Sequence, residues 1–341
     1  MNTTEVRSRS AARNETVSNG DGPSFRRVAL LFLAKYGTII GLIVMIGVFS
    51  ALAPAAFPTV SNFVNVLNQA SLTMIISGGL TMAVIVGELD LSIGFAASAE
   101  GVLVTGLMVW DKLPVPVSII AVLLVGALVG LVNGLIVTKM GVNSVIATLG
   151  TGTVIVGLNF AYSEGAPIVT GVPESFLDIS LGRIWGIPHN VLIMAFVIGA
   201  LWVLVERTPL GQMMQAVGGN PVAARFSGIL VHRIKIYGFV ACGVCASLTG
   251  ILLASVLGSG TTSAADSYLL SAFAAVFLGS ATLREGEFHI LGTLFGVLII
   301  AFGFNGLAIF GAPTFYQYIF QGAILIFAVG LSSLGRIYSQ R

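Results

Sequence analysis

The sequence predicts an all-α protein that crosses a membrane many times. Hydrophobic residues make up 56% of its 341 residues and charged residues only 9%, whereas soluble domains carry roughly 25% charged residues. Apolar runs long enough to span a bilayer, which takes roughly 20 residues, recur along the chain. The remaining charges lie mostly in the segments between these runs. We therefore expect a polytopic membrane protein of about ten transmembrane helices.

Ten apolar runs are candidate spans. In chain order they cover residues 30–53, 66–87, 93–110, 117–138, 144–162, 190–205, 236–258, 267–283, 289–310 and 315–334. The second and third spans share an end in "GELDLSIG" at 87–94, of which only residues 88–92 lie between them. Residues 29–336 are thus predicted to form one transmembrane domain.

The polar ends of the chain are expected to lie in the cytoplasm. Residues 1–28 are polar and contain five arginines. They hold no short apolar core followed by a small-residue cleavage site, so a signal peptide is not expected. We interpret residues 1–28 as a disordered cytoplasmic tail and residues 337–341 as a cytoplasmic C-terminus.

The positions of Lys and Arg support this orientation, because cytoplasmic loops of membrane proteins are enriched in both. With the N-terminus inside, the outward loops carry only Lys112 and Arg183. The inward segments carry Lys139, Arg207, Arg225, Arg233, Lys235, Arg284, Arg336 and Arg341.

The two halves of the chain share a layout that suggests an inverted repeat. "NGLIVTKMGVNSVIATLGTGTVIVGL" begins at Asn133, and "NGLAIFGAPTFYQYIFQGAILIFAVGL" begins at Asn305. The first lies in spans four and five and the second in spans nine and ten, so two five-span units would have opposite orientations. Transporters often use such repeats. The alternative is that Gly-rich apolar runs resemble one another by composition alone.

The polar segment 207–235 carries two helix-start signals. Thr-Pro at 208–209 and Asn-Pro at 220–221 each place a capping side chain before a proline, a pattern typical of a helix N-terminus. Gly-Gly at 218–219 would end the first helix, and Gly228 would end the second. We therefore predict two short helices in an inward loop.

The second short helix has an unusual surface. Ala223 and Ala224 give it low relief, and Arg225 is followed by the apolar Phe226. Such a helix suits docking into a cleft of a partner protein. Alternatively, it lies in the headgroup layer with Phe226 in lipid.

Four stretches of the chain resemble one known family. "GGNPVAARFSGI" at 218–229 is similar to the cytoplasmic coupling segment of permease subunits from ribose-type ABC importers for simple sugars. "GELDLSIG" at 87–94, "GLVNGLIVTKMGVNSVIATLGT" at 130–151 and "LLSAFAAVFLGSATLREGEFHILGTLFGVLII" at 269–300 resemble further motifs of that family, in the same order. The resemblance covers residues 30–336.

The sequence departs from the family pattern in two places. Asn143 stands where members often have proline, and "GSATLREG" places Arg284 and Glu285 in a turn that is usually less charged. The second departure concerns the details of one cytoplasmic turn.

The resemblance implies a type II-like ABC importer permease in the inner (plasma) membrane of a bacterium. Its implied partners are a cytoplasmic ABC ATPase subunit, a periplasmic sugar-binding protein, a second permease chain, identical or different, and membrane lipid. Residues 221–228 would form a coupling helix in a groove of the ATPase. The coupling residues implied are Gly219, Asn220, Pro221, Ala223, Ala224, Arg225, Phe226 and Gly228.

The sequence gives no sign of enzymatic chemistry. A Walker A loop requires Gly-Lys followed by Ser or Thr, and Gly-Lys does not occur in the chain. ATP hydrolysis is therefore expected from a separate subunit. The sequence suggests no metal site or other cofactor, and the net charge of +2 gives no reason to expect nucleic-acid binding.

Polar residues at membrane depth are the candidates for a translocation pathway, because buried charges there are costly and usually serve a function. These candidates are Glu88, Asp90, Ser92, Asn133 and Asn305. Four of them have a structural alternative: Asp90 or Ser92 can cap the third span, and the two asparagines can hold neighbouring helices. Glu100 lies deeper in the third span and is expected to face the helix bundle or a subunit interface.

Two transport functions therefore remain open on the residues alone, besides a passive channel or a purely structural membrane scaffold. The first is the membrane subunit of an ATP-driven importer that passes a monosaccharide from a periplasmic binding protein into the cytoplasm by alternating access. The alternative is a secondary transporter of a small polar solute, in which Glu88, Asp90 or Glu100 carries a coupling ion.

Overall fold

The computed structural model describes residues 25–280, 282–283 and 286–339. Most of the predicted tail, residues 1–24, lies outside this part of the chain, as do Arg284, Glu285 and Arg341. The first helix begins at Phe25, inside the predicted tail of residues 1–28.

The described residues form thirteen helices and one short hairpin. The helices are α1 (Phe25–Leu52), α2 (Val60–Ile85), α3 (Ile93–Val109), α4 (Val115–Lys139), α5 (Ser144–Ser163), α6 (Glu174–Leu181), α7 (His189–Arg207), α8 (Pro209–Gly219), α9 (Pro221–Phe226), α10 (Val231–Leu257), α11 (Tyr268–Ser280), α12 (Ile290–Ile309) and α13 (Phe315–Ser339). The hairpin pairs β1 (Arg183–Ile184) antiparallel to β2 (Ile187–Pro188).

Each of the ten predicted spans falls on one helix. Six of the described helices, namely α2, α4, α5, α7, α10 and α12, are long and apolar enough to cross a membrane. Four shorter apolar stretches occupy Tyr36–Leu52, Ile93–Val109, Tyr268–Ser280 and Phe315–Phe327. A multi-pass architecture is thus clear, while a total of ten crossings stays a prediction.

Helix α10 lies at the centre of the fold and contacts α2, α3 and α4. It approaches each neighbour at a glycine. A Cβ atom added to Gly238 would lie 2.9 Å from the carbonyl oxygen of Met82 in α2, and one added to Gly243 would overlap the carbonyl oxygen of Gly126 in α4. A Cβ at Gly250 would likewise overlap the carbonyl oxygen of Ala97 in α3. Small residues allow such close helix contacts in membranes.

Helix α2 occupies a matching position in the other half of the bundle. It contacts α11 and α12, just as α10 contacts α3 and α4. Helix α11 packs against α12 and α13, as α3 packs against α4 and α5. Helices α2 and α10 also contact each other, so the two groups meet along one central pair.

The long segment between α5 and α7 is fastened to the end of α10. Ile168 and Gly260 exchange two backbone hydrogen bonds, at 2.9 and 3.0 Å. The Ser255 hydroxyl donates to the carbonyl oxygen of Phe176 at 2.7 Å. At the tip of the hairpin, Trp185 is 98% exposed. The segment therefore closes one end of the bundle and presents one large aromatic side chain outward.

We expect Gly243→Ala to destabilise the protein, because the added methyl group overlaps the backbone of α4. Overpacking of this kind costs about 1–3 kcal/mol. Thermal unfolding of the purified protein in detergent measures the effect as a lower midpoint temperature.

Gly199→Ala is the matched control, because nothing lies within 4 Å of a Cβ atom at this position in α7. It should leave the midpoint unchanged or raise it slightly, since alanine favours helix over glycine by up to about 1 kcal/mol. Equal midpoints for the two variants would contradict the close contact between α10 and α4.

Candidate functional site

The polar segment 207–235 contains two short helices, α8 and α9, which together are called the module below. Its first part, α8, begins and ends as its sequence predicts. The Thr208 hydroxyl oxygen accepts a hydrogen bond from the backbone N–H of Gly211 at 3.2 Å, and Pro209 is the first residue of the helix. The same hydroxyl donates to the carbonyl oxygen of Leu204 at 2.6 Å, which ties α8 to the end of α7. The helix ends at Gly219, at the predicted glycine pair.

The second part of the module is α9, and its predicted cap is confirmed. The Asn220 side-chain oxygen accepts from the N–H groups of Val222 and Ala223, at 3.1 and 3.0 Å. The helix ends at Phe226, slightly before the predicted end. Gly228 has a φ of +84° and its N–H donates to the carbonyl oxygen of Arg225 at 3.0 Å. Glycine adopts this left-handed conformation without strain.

The predicted coupling residues lie mostly on the solvent-accessible surface of the protein. Phe226 is 88% exposed and Val222 is 63% exposed. Only Ala224 is buried among the eight predicted coupling residues; Gly219, Asn220, Pro221, Ala223, Arg225, Phe226 and Gly228 are exposed. An exposed phenylalanine on a capped helix fits both alternatives, a docking surface and a helix in the headgroup layer.

The module is fixed to the membrane helices through α8. Met214 and Val217 are each 1% exposed and belong to the main hydrophobic core. Gly218 lies directly against the carbonyl oxygen of Ile85, the last residue of α2. A displacement of the module therefore acts directly on the end of α2.

An ion pair joins the loop after α2 to the start of α10. The Lys235 ammonium donates to Glu88 Oε1 at 2.5 Å. The two side chains are 22% and 11% exposed, respectively, so the pair is partly shielded from water. It lies at the same end of α10 as the module.

Asp90, Ser92 and Asn133 form a buried polar cluster. Asp90 Oδ1 accepts from the Ser92 N–H at 2.9 Å and from the Ser92 hydroxyl at 2.5 Å. The Asn133 amide donates to the Ser92 hydroxyl oxygen at 2.9 Å and to Asp90 Oδ2 at 3.3 Å. The Thr151 hydroxyl donates to Asn133 Oδ1 at 2.6 Å. The cluster thus connects α3, α4 and α5.

These contacts agree with the structural alternative for Asp90. Ser92 occupies the N-cap position of α3, where its own side chain makes no capping bond. Instead, the Asp90 carboxylate takes the N–H of Ser92, which is the first of the unpaired N–H groups at this helix end. A capping role and a role in transport are compatible.

Asn305 lies apart from this cluster. Its side-chain amide and that of Asn62 in α2 exchange two hydrogen bonds, each of 2.9 Å. The pair joins α12 to α2, as the helix-packing alternative predicts. The structure therefore does not bring the five pathway candidates together: Glu88 pairs with Lys235, three residues form the buried cluster, and Asn305 pairs with Asn62.

Glu100 faces the helix bundle. It is 2% exposed, and a Cβ atom at Gly126 would lie 2.9 Å from its Oε1 atom, which places the carboxyl between α3 and α4.

The sequence interpretation missed one cavity with several polar groups in a largely apolar lining. It has a volume of about 330 Å³ and lies between α2, α7, α10, α11 and α12. Asn68, Gln69, Thr73 and Asn190 are among the residues that line it. The signal in the sequence was the group of polar residues early in the second span, but nothing in the sequence brings Asn190 next to them.

Comparison with known proteins identifies the family. Residues 62–329 match the family described as branched-chain amino acid transport system, permease component. The chain belongs to this family of transport permeases. The permease is therefore a multi-pass protein of the inner membrane.

Curated relatives cover almost the whole chain. The permease is 36% identical to the ribose import permease protein of Haemophilus influenzae, over 87% of this chain and 93% of the relative. It is 38% identical to the ribose import permease protein of Bacillus subtilis, over 87% and 92%. The galactose/methyl galactoside import permease protein of Haemophilus influenzae is 32% identical, over 86% and 92%. No solved structure matches the chain.

We expect Gly218→Ala to loosen the module, because the added methyl group overlaps the carbonyl oxygen of Ile85. The variant should unfold at a lower temperature, by an amount that corresponds to about 1–3 kcal/mol. Limited proteolysis within 207–235 should also become faster.

Gly219→Ala is the neighbouring control, since nothing lies within 4 Å of a Cβ atom there. Its unfolding temperature and proteolysis rate should match those of the unmodified permease. A similar loss in both variants would show that contact with α2 is not what fixes the module.

Proposed function

We propose that this chain is the membrane-spanning subunit of an ATP-driven importer. It passes a monosaccharide from a periplasmic binding protein into the cytoplasm by alternating access. The observation that carries the proposal is the exposed, capped helix α9, which presents Phe226 and is joined through α8 to the central helices. The choice of a sugar is supported by relatives of 36% and 38% identity that are ribose import permeases.

Helix α9 is the proposed contact with a separate ATPase subunit. Phe226 would enter a groove of that subunit, and Arg225 would contact its surface. The other exposed residues of this surface are Gly219, Asn220, Pro221, Ala223 and Gly228, while the buried Ala224 packs against the core beneath them. ATP hydrolysis would then be performed by the partner, and this chain would transmit the resulting movement.

The contacts of the module support a route for that movement. Gly218 rests on the end of α2. Lys235 at the start of α10 forms an ion pair with Glu88 in the loop that follows α2. The same loop is bound to α5, where the Leu91 N–H donates to the Thr148 hydroxyl oxygen at 3.0 Å. A push on α9 would therefore reach α2, α10 and α5 together.

We propose that the polar groups bound to this loop form a closed inner gate. Glu88, Asp90, Ser92 and Asn133 would separate when the loop moves, and their polar groups would then line the pathway. Asn305, paired with Asn62, would play the corresponding part near the outer end of α12. The mutual hydrogen bonds support a closed state, since each candidate has a protein partner.

The helix contacts support an inverted repeat of α1–α5 and α7–α13. The contacts of α10 with α3 and α4 match those of α2 with α11 and α12. Asn133 lies late in α4 and Asn305 lies late in α12. Since α4 would run inward and α12 outward, the two asparagines would lie near opposite faces of the membrane.

The sides of the bundle expose apolar surfaces that other partners can contact. Exposed apolar side chains cover α4, α5 and α13, among them Leu124, Leu158 and Ile326. We propose that these faces contact lipid and a second permease chain. The 163–189 segment at the other end from α9 would face the periplasmic sugar-binding protein. Both termini would lie in the cytoplasm.

Phe226→Glu tests the contact with the ATPase. Loss of a central interface aromatic costs about 2 kcal/mol or more, which weakens binding by roughly 30-fold. Co-purification of the ATPase should therefore fall, and ATP-dependent sugar uptake should fall with it. Folding should be unaffected, because Phe226 is 88% exposed.

Met140→Glu is the control, because Met140 is also apolar and 72% exposed and lies in another predicted inward loop. It should retain the ATPase and sugar uptake. Normal ATPase recovery with Phe226→Glu would refute the proposed docking helix.

Cysteine labelling tests the orientation. Ser227→Cys and Thr170→Cys place a thiol at two exposed positions, after α9 and in the 163–189 segment. In intact cells, a membrane-impermeant maleimide should label Thr170→Cys and should label Ser227→Cys only after permeabilisation. The reverse pattern would place α9 outside the cell and exclude a cytoplasmic ATPase as its partner.

A further inference from the structure

The cavity of about 330 Å³ lies at the opposite end of the bundle from the ATPase-facing module. Helix α7 contributes Asn190 to the cavity and reaches the module at Arg207, a distance of about 25 Å at 1.5 Å per residue. Helix α10 likewise contributes Val256 near one end, while its other end follows α9. With α9 in the cytoplasm, the cavity faces the outside of the cell.

The size of the cavity suits a small organic molecule. Binding sites for such ligands have volumes from roughly 300 Å³ upward, and this cavity has about 330 Å³. Gln69, which contributes to the lining, is exposed. The cavity can therefore be reached from the surface of the protein.

Two asparagines in the lining carry unused hydrogen-bonding capacity. Asn190 is 1% exposed, and its Oδ1 atom and the Oδ1 atom of Asn68 are buried without a hydrogen-bond partner among the described residues. Leaving a buried acceptor unpaired costs about 1–3 kcal/mol. Both residues line the cavity, so a bound molecule with hydroxyl groups can satisfy them.

A third polar group is held in position by a neighbouring helix. The buried Gln321 side chain of α13 donates to the Ser271 hydroxyl oxygen at 2.9 Å. Ser271 and Thr73 both line the cavity. Their hydroxyl groups can donate and accept hydrogen bonds, as the asparagine amides also can between their oxygen and nitrogen atoms.

The absence of charged side chains from the described part of the lining favours an uncharged ligand. Among the residues that the structure describes, the lining contains amide, hydroxyl and apolar side chains but no Asp, Glu, Lys, Arg or His. A free amino acid carries an ammonium and a carboxylate, and burying these charges without partners is strongly unfavourable. A sugar has no charge, its hydroxyl groups match the amides, and its C–H faces can pack on apolar residues such as Phe304.

We propose that this cavity is a binding site for an uncharged polyhydroxylated molecule of monosaccharide size. Asn68 and Asn190 donate and accept the main hydrogen bonds, and Phe304 contributes apolar contact. The inference rests on the proposed function, since it names where within one permease chain an incoming sugar is held. The family description names amino acids. The uncharged lining of the cavity favours a sugar instead, so the class of cargo is inferred from the cavity and not from the family description.

Ligand protection of an engineered thiol tests the site directly. Thr73→Cys in the full complex with its ATPase, in lipid nanodiscs, is treated with methyl methanethiosulfonate. D-ribose or D-galactose should slow labelling of this thiol, whereas L-leucine should not. Thr170→Cys, which is exposed outside the cavity, should be labelled at the same rate with or without sugar. The unmodified complex gives the background from the buried Cys242 and Cys245.

Transport kinetics test the two asparagines. Asn68→Leu and Asn190→Leu should each raise the KM for ATP-driven sugar uptake by about tenfold, which corresponds to the loss of one or two hydrogen bonds. Asn159→Leu is the control, because Asn159 is also a buried asparagine with an unpaired Oδ1 atom but does not line the cavity.

The outcomes separate the two proposals. Labelling unaffected by sugar, with normal uptake and an unchanged KM in both asparagine variants, would mean that the cavity holds water only and would overturn this inference. Protection by L-leucine would overturn the assigned ligand class. If the asparagine variants fail to assemble, the protection experiment decides. Absence of ATP-driven sugar uptake by the unmodified complex would instead refute the proposed function, and sugar protection of Thr73→Cys would still support the cavity site.

Discussion

The fold depends on the close approach of α10 to three neighbouring helices. Gly238, Gly243 and Gly250 bring its backbone against α2, α4 and α3, respectively. At such contacts no flexible side chain separates the helices, so little relative movement is possible without breaking the packing. The centre of the protein is therefore stiff, and movement at one end of α10 is carried to its neighbours.

This stiffness explains why the polar module is placed where it is. Helix α9 leads directly into α10, and α8 rests on the end of α2 through Gly218. The exposed face of α9 is thus linked to the two helices that meet at the centre of the bundle. The Glu88–Lys235 ion pair joins the same two elements a second time. A displacement of this small helix would in this way act on both central helices of the transmembrane domain.

Local features of the structure could be read from the sequence, and long-range ones could not. Caps at Thr208 and Asn220 depend on residues two or three positions away, so the prediction of two short helices is confirmed. The apolar runs likewise located the helices. The partner of Glu88 is Lys235, and the cavity draws Asn68 and Asn190 from different spans. Such contacts depend on helix packing, which apolar runs of similar composition do not specify.

The paired amides of Asn62 and Asn305 have a mechanical consequence. Both hydrogen bonds join the same two side chains, so a slide of α12 along α2 by one helical turn, about 5.4 Å, would break both at once. A tilt centred on the pair would preserve them. While this pair stays closed, the two helices can therefore tilt about it but not slide, and the helix ends far from the pair move the greatest distance.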